Sequence, residues 1–482
     1  MRLIAVCVTV ALSSAVLAVP ASFAANAVNV TPADEVLVGV WAGSLPEGSV
    51  EGDNQNAYFE IARCLDGGLK ASFGIAMNTG QFAESITLKD GSVKIVSKSS
   101  QLSWEGTLGP DGKSMKGRLV IGKWRRSLPL TKMDRIPGPP RPQTPHGPCP
   151  YDVRDVHYRN EAAQIRLAGT LTLPREGGPF PVVFLISGSG PNDRNSDALY
   201  HRPFAVLADY LTRRGIAVLR VDKRGVGESE GNWATSDVMD FAGDALAGLK
   251  FLSGLPEIDP KRMGLMGISE GGMVAPIATT MSEDVSFVVA LSGAAMKWLD
   301  VIVLQDGALA VTEGASEKQA ALIRAWSTRF YTVVRDTENL AEARAKLKEL
   351  KEKRTQAEKE AFAFLPDVGT LDIDTVLEPN LRNCFKLDPG QYLAKVQCPI
   401  LSLYGEKDCQ VPAAPNLKAA EEVFKTSGNK NATAKVLPGI NHCMMRCKTG
   451  ALSEYAQIEE TISPDVLKLV ADWIAAHTKK AL

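Results

Sequence analysis

Histidine is scarce in this chain, with five residues among 482. Chemistry that needs an imidazole therefore has few places to occur. Charge of one sign is also lacking, because 54 lysines and arginines face 55 aspartates and glutamates for a net charge of -1. That balance removes the electrostatic reason to expect nucleic acid or an acidic surface as a partner. Long apolar runs are confined to the amino terminus. Leu3 to Val19 is almost wholly apolar, preceded by Met1-Arg2 and followed by the small residues around Ser22-Phe23-Ala24, which is the layout of a secretory signal peptide over residues 1–24. A retained membrane anchor is the alternative. No later stretch is long and apolar enough to span a bilayer, so an exported protein, periplasmic or secreted, is expected. Cysteine is sparse as well. Cys7 lies inside the apolar leader, too early for a lipid-modified terminus, and the other seven are an odd set, leaving at least one thiol free or paired between chains. Their spacing matches no zinc site, and neither a metal nor a cofactor is expected.

The length and the 45% apolar content suit a globular protein of two domains. Within residues 36–133, short stretches of rough alternation are broken by the turn pairs Asp66-Gly67, Asp90-Gly91 and Asp111-Gly112, which predicts a small all-β domain of meandering hairpins. Trp41, Trp104 and Trp124 either fill its interior or form a stacking platform for a ligand. Residues 134–150 are dense in proline and glycine and read as an extended linker ending near Cys149, a candidate partner for Cys64. From 151 to 482, strand-like and helix-like stretches alternate, specifying a mostly parallel sheet covered by helices on both faces. The alternation lapses over about 294–396, which includes the highly charged Glu338 to Lys359. This interval reads as a helical insertion, either a cap over the site, with Phe362, Phe364 and Leu365 as its underside, or a peripheral helical pair.

Chemistry concentrates in the last of these regions. Gly267-Ile268-Ser269-Glu270-Gly271 follows an apolar strand and precedes a small-residue helix, the setting of a nucleophile elbow with Ser269 at its tip. A serine nucleophile needs a base and a carboxylate to orient it, following in the order serine, acid, histidine. Only His442 and His477 lie downstream. His477 belongs to an amphipathic terminal stretch, whereas His442 sits in a loop directly after the strand-like Ala434 to Leu437. Asp408, in the loop after Pro399 to Tyr404, is the preferred acid; Glu406 comes too early, and Asp300 is a rival placement. Oxyanion donors are expected from the amide of Glu270 and from Ser189 or Gly190, in a glycine-rich loop after Val182 to Ile186. That loop lacks the lysine and hydroxyl residue of a P-loop, and its alternative is a plain flexible connection.

Leu167 to Pro174, Ile186 to Arg194, Asp222-Lys223-Arg224-Gly225-Val226-Gly227-Glu228-Ser229 and Gly267 to Gly272, occurring in this order, resemble exported bacterial α/β-hydrolases of the EstD carboxylesterase type. The resemblance runs from about residue 155 to the end. It implies an α/β-hydrolase fold and a serine esterase acting on small ester substrates through Ser269, Asp408 and His442, with Asp222 to Ser229 as a structural turn. A peptidase or aminopeptidase of the same fold, or a silent protein binding an envelope polymer, are the competing readings. Cys409 and Cys443 directly follow the candidate acid and base. Convergence of those loops would bring Cys409 within disulfide range of Cys443 or Cys447, the alternative being buried free thiols. Acyl specificity and oligomeric state are not readable.

Overall fold

The computed structural model describes residues 32–49, 55–64, 67–83, 85–97, 100–365 and 372–479. The expected signal segment 1–24, Cys7 and Asp66 lie outside the described residues. The chain folds as two compact units, one taking Arg141–Ser196 and the chain from His201 onward, the other the preceding chain to Pro140 together with Asp197–Tyr200.

The amino-terminal unit is antiparallel. Its strands are β1 (Gly39–Ser44), β2 (Asn56–Arg63), β3 (Leu69–Ile75), β4 (Asn78–Ala83), β5 (Ser85–Lys89), β6 (Ser92–Ser97), β7 (Leu102–Leu108), β8 (Ser114–Ile121), β9 (Trp124–Ser127) and β10 (Leu130–Met133). They pair in the order β4-β3-β2-β1-β10-β8-β7-β6-β5, with β9 attached to β8. β8 and β9 form a hairpin, the chain turning at Gly122 with φ 54°. Alternation along β6 sends Val93 and Ile95 inward and Ser92 and Lys94 outward. Trp41 and Trp104 fill the interior, each 0% exposed, with their indole N–H groups donating to Leu37 O and Leu128 O. A stacking platform built on them is therefore ruled out, since neither ring face is open.

The second unit holds an eight-stranded sheet. Its strands are β11 (Asp152–Asn160), β12 (Ile165–Leu173), β13 (Phe180–Ile186), β14 (Ala217–Val221), β15 (Ile258–Ile268), β16 (Phe287–Leu291), β17 (Ile400–Gly405) and β18 (Ala432–Leu437), in the order β11-β12-β14-β13-β15-β16-β17-β18. β12 runs antiparallel to both of its neighbours, β11 and β14, and the other neighbouring pairs are parallel. This is an α/β-hydrolase sheet. β13 is buried along its whole length because it feeds two cores. Val182, Phe184 and Ile186 face one side, against α2 (Val238–Ser253) and α3 (Glu270–Thr279). Val183 and Leu185 face the other, against α1 (Pro203–Thr212) and the carboxyl-terminal helix Pro464–His477. Each such side chain contributes about 1.5–3 kcal/mol by burial.

Between β16 and β17 come α4 (Trp298–Thr312), α5 (Glu317–Asp336), α6 (Leu340–Glu352), α7 (Gln356–Phe362), α8 (Ile373–Val376), α9 (Pro379–Cys384) and α10 (Pro389–Leu393). The charged run breaks into α6 and α7 because Thr355 and Glu358 form a capping box that starts a new helix. Phe362, Phe364 and Leu365 pack inside this insertion against Ala310, Ala315, Ile323 and Ala361 rather than serving as its underside. The proline-rich segment is not free along its length either. Arg141 donates to Ala456 O at 2.9 Å, and the Gln143 amide both donates to Ile462 O and accepts from Thr461 N.

Candidate active site

Ser269 is the single residue between β15 and α3, with φ 57° and ψ -119°. A residue with a Cβ avoids such angles unless its surroundings impose them. Here its amide donates to Leu291 O at 2.8 Å, continuing the β15–β16 ladder into the turn. A Cβ on Gly267 would stand 1.9 Å from Gly271 O, and one on Gly271 would stand 2.1 Å from Ile186 O. Only glycine fits at either position, and the serine side chain is left half-exposed at the strand end.

Asp408 and His442 come from the loops after β17 and β18. Asp408 Oδ1 accepts from the amides of Gln410 and Val411, both at 2.8 Å, and its Oδ2 meets His442 Nδ1 at 2.8 Å. Both side chains are buried. The carboxylate puts the imidazole proton on Nδ1 and leaves Nε2 as the basic nitrogen. The histidine loop crosses directly over the end of β17, where a Cβ on Gly405 would lie 2.5 Å from Ile440 O. Ser292, next after the strand neighbouring the elbow, donates its hydroxyl to His442 O at 3.1 Å. His442 is thus tied to the strand beside Ser269. The Ser269 hydroxyl itself makes no hydrogen bond among the described residues. Asp300 is exposed in the first turn of α4, while Asp408 holds His442 Nδ1, and His477 ends the last helix, exposed. Glu406 accepts from Gly439 N at 2.8 Å and so braces the histidine loop.

On the other flank, the loop after β13 turns its carbonyls inward. Asn192 Nδ2 donates to Gly188 O, Ser189 O and Gly190 O, which leaves the amides of this loop facing elsewhere. A Cβ on Gly188 would touch Ser269 Cβ at 3.5 Å. Lys223, buried in the loop after β14, donates to Gly188 O at 2.7 Å and to Glu270 Oε1 at 2.8 Å. One ammonium thereby joins the two segments from which oxyanion donors are expected. The neighbouring Asp222 takes the Arg194 guanidinium through both carboxylate oxygens and also accepts Glu228 N. It is the structural centre of its turn.

Beside these residues opens a solvent-facing cleft. Ser189, Gly190, Lys223 and Glu270 form one side, the segment around Asp237 with Trp233 and Phe241 another, and Thr375, Glu378, Leu381 and Cys384 of the insertion a third. Burial and the nearby Asp372 push the Glu378 carboxyl up from its ordinary range. The expected disulfide is absent: all seven cysteines of the described residues are free thiols. Cys409 instead donates to Gly450 O, and Cys447 points at Gly439 O. Each has a backbone acceptor of its own.

Lys223, Ser292 and Asn441 escaped the sequence reading. The Asn441 side-chain oxygen accepts from Cys443 N and Met445 N and shapes the histidine loop. Its position directly before His442 is the one local signal. For Ser292 the partner is distant in sequence and no local pattern marks it, while Lys223 lies in the Asp222 to Ser229 motif, whose reading as a structural turn gives no sign of its partners Gly188 and Glu270.

The esterase EstD of Thermotoga maritima is 26% identical over 281 residues, 58% of this chain and 58% of that protein. The chain thus spans a little over half the length of that relative. The esterase FrsA of Serratia proteamaculans is 33% identical over 127 residues, covering 26% of this chain and 28% of that protein. Among solved structures, an esterase of Pyrococcus furiosus aligns over 71% of this chain and 98% of its own, with 18% identity and a TM-score of 0.42. The sequence pattern of the X-Pro dipeptidyl-peptidase (S15) family matches residues 163–423, which is more than half of the chain and takes in the elbow, the acid loop and the insertion. The chain belongs to that family.

Proposed function

We propose that this protein is an exported serine hydrolase that cleaves small carboxylic esters through an acyl-enzyme on Ser269. The observation that carries the reading is the strained serine at the β15–α3 turn, with a buried Asp408–His442 pair anchored to the adjacent strand. On substrate binding the Ser269 hydroxyl closes onto His442 Nε2, a contact that commonly tightens only in the substrate complex. The imidazole takes the hydroxyl proton as the oxygen attacks the ester carbonyl. Asp408 holds the tautomer and stabilises the imidazolium. The oxyanion accepts from the amide of Glu270 and from the Ser189 or Gly190 amide. Collapse breaks the bond to the alcohol, which leaves with the imidazolium proton, and water then releases the acid by the same steps. The insertion acts as a cap that shapes the acyl pocket through Leu381 and Cys384. The esterase relatives support ester substrates, and the apolar leader supports a place outside the cytoplasm.

Ser269→Ala should abolish both nitrophenyl ester hydrolysis and labelling by a fluorophosphonate probe. Turnover retained by the purified variant overturns the assignment. A second reading, a peptidase that grips a free amino terminus, is favoured by the carboxylates of Asp237 and Glu378 in the cleft together with the family match. Aminoacyl nitroanilides cleaved faster than nitrophenyl esters, with Glu378→Gln raising KM for the nitroanilides alone, would select it.

A further inference from the structure

The outward face of β5 to β9 carries a charge imbalance unconnected with Ser269. From Gly112 to Met133 the chain has seven lysines and arginines and no aspartate or glutamate, in a protein whose net charge is -1. Register decides where that charge goes. Lys94 pairs with Glu105 and Glu105 with Arg118 across β6, β7 and β8, while Lys89, Lys116 and Arg125 reach the same face through Ser92, Thr107 and Val120. All five cations are exposed. The opposite face of these strands holds Val93, Ile95, Trp104, Met115 and Leu119, all in the core.

Glu105 is the only carboxylate on the outward face among the described residues, and it lies 2.8 Å from Lys94 and 3.7 Å from Arg118. Lys89, Lys116 and Arg125 form no ion pair among the described residues. Between the cations stand short hydroxyl side chains such as Thr87, Ser92, Thr107 and Ser127, which can donate to the oxygens of an anion lying directly on the sheet. The cations are about 7 Å apart along β8 and about 10 Å apart from β6 to β8. Charges carried on alternate sugars of an extended chain meet the wider of these spacings.

We propose that this face binds an extended anionic polysaccharide whose repeating groups are carboxylates or phosphates. A bilayer surface fits less well, because Val96 and Val120 are the only apolar side chains on the face among the described residues and neither is of the aromatic or long aliphatic kind that settles at a membrane interface. Single-stranded nucleic acid fits less well too, because among the described residues no aromatic ring on the face is available to stack on bases.

The test titrates the full chain, at about 50 and about 200 mM salt, with labelled polygalacturonate and with a labelled phosphomannan in separate arms. Dextran, phosphatidylglycerol vesicles and single-stranded DNA complete the set. Binding of at least one polyanion, weakened steeply by salt and absent for dextran, is expected. Binding in one arm alone assigns the charged group. Lys116→Glu combined with Arg118→Glu and Arg125→Glu should weaken it at least about a hundredfold, taking about fivefold per cation near an anionic surface, while nitrophenyl acetate hydrolysis stays unchanged. The matching glutamine triple variant, expected to lose a smaller factor, serves if charge reversal impairs folding. The proposal is overturned if neither polyanion binds in a salt-dependent way, if both triple variants bind as the parent does, or if vesicles or DNA bind more tightly.

Discussion

Asp408 and Asp306 are both buried carboxylates, and their surroundings differ in kind. At the carboxyl edge of the sheet, Asp408 has two backbone amides on one oxygen and an imidazole on the other. Inside the insertion, Asp306 on α4 accepts only the hydroxyls of Ser327 and Tyr331 on one oxygen, and the other has no partner among the described residues. Burial pushes its carboxyl up to about 7. The reason lies in the elements. Helix amides are consumed by the helix itself, so a carboxylate between helices must rely on side chains, whereas loops leaving parallel strands have free amides to offer. The sheet edge can therefore hold a fixed charge, and the insertion supplies shape.

Removing the charge at the edge is the harshest test of this contrast. Asp408→Asn keeps an acceptor for the amides of Gln410 and Val411 but no longer holds the His442 proton on Nδ1, so kcat should fall about 10⁴-fold with little change in the unfolding midpoint. A variant within tenfold of the parent, roughly 1.4 kcal/mol in the barrier, would deny Asp408 its role. Next in size is Lys223→Met. Freeing the Gly188 and Glu270 segments should lower kcat by about ten- to a hundredfold, less than deleting an oxyanion donor outright, with KM nearly constant. Adding Glu270→Gln removes the unpaired buried carboxylate and should restore stability without restoring kcat. Recovery of both would make Lys223 a matter of folding alone.

Two smaller effects probe the insertion. Leu381→Trp narrows the cleft and should lower kcat/KM for long acyl chains relative to acetate, by a factor readable on a panel of nitrophenyl esters. An unchanged ratio would mean that the insertion does not shape the acyl site. Asp306→Asn concerns stability and its pH dependence. With its carboxyl raised to about 7 from an ordinary 3.8, the folded protein holds a proton there that the unfolded chain has released. The parent therefore loses stability as pH rises through that window, by at most about 1.4 kcal/mol per pH unit, and the variant does not. Denaturation at pH 5 and pH 8 should show the variant gaining on the parent at the higher pH; an equal difference at both would place the Asp306 titration elsewhere.

Much of the fold was legible because burial on two faces or one leaves different patterns. The turn pairs Asp90-Gly91 and Asp111-Gly112 fall between β5 and β6 and between β7 and β8, and Val182 to Ile186 and Ala434 to Leu437 lie within β13 and β18. The short β4, β5, β9 and β10 were not anticipated, nor was β11. Each has too few residues, or too many charged ones, for alternation to stand out, and their pairing partners supply the missing stabilisation. Phe362, Phe364 and Leu365 were placed under a cap on hydrophobicity alone, yet apolar side chains on a helix record only that something covers them. The cleft takes Thr375, Glu378, Leu381 and Cys384 from the insertion instead.

Local chemistry written into the chain determined the elbow: a side chain at Gly267 would collide with Gly271 O inside the same motif, and the strand and helix on either side oblige Ser269 into its turn. The tertiary structure alone decided which distant groups complete the site. The meeting of Lys223 with Gly188 and Glu270, of Ser292 with His442, and the company each buried carboxylate keeps depend on strand order and loop crossing. Such contacts join residues far apart along the chain, and no pattern at either end announces the other.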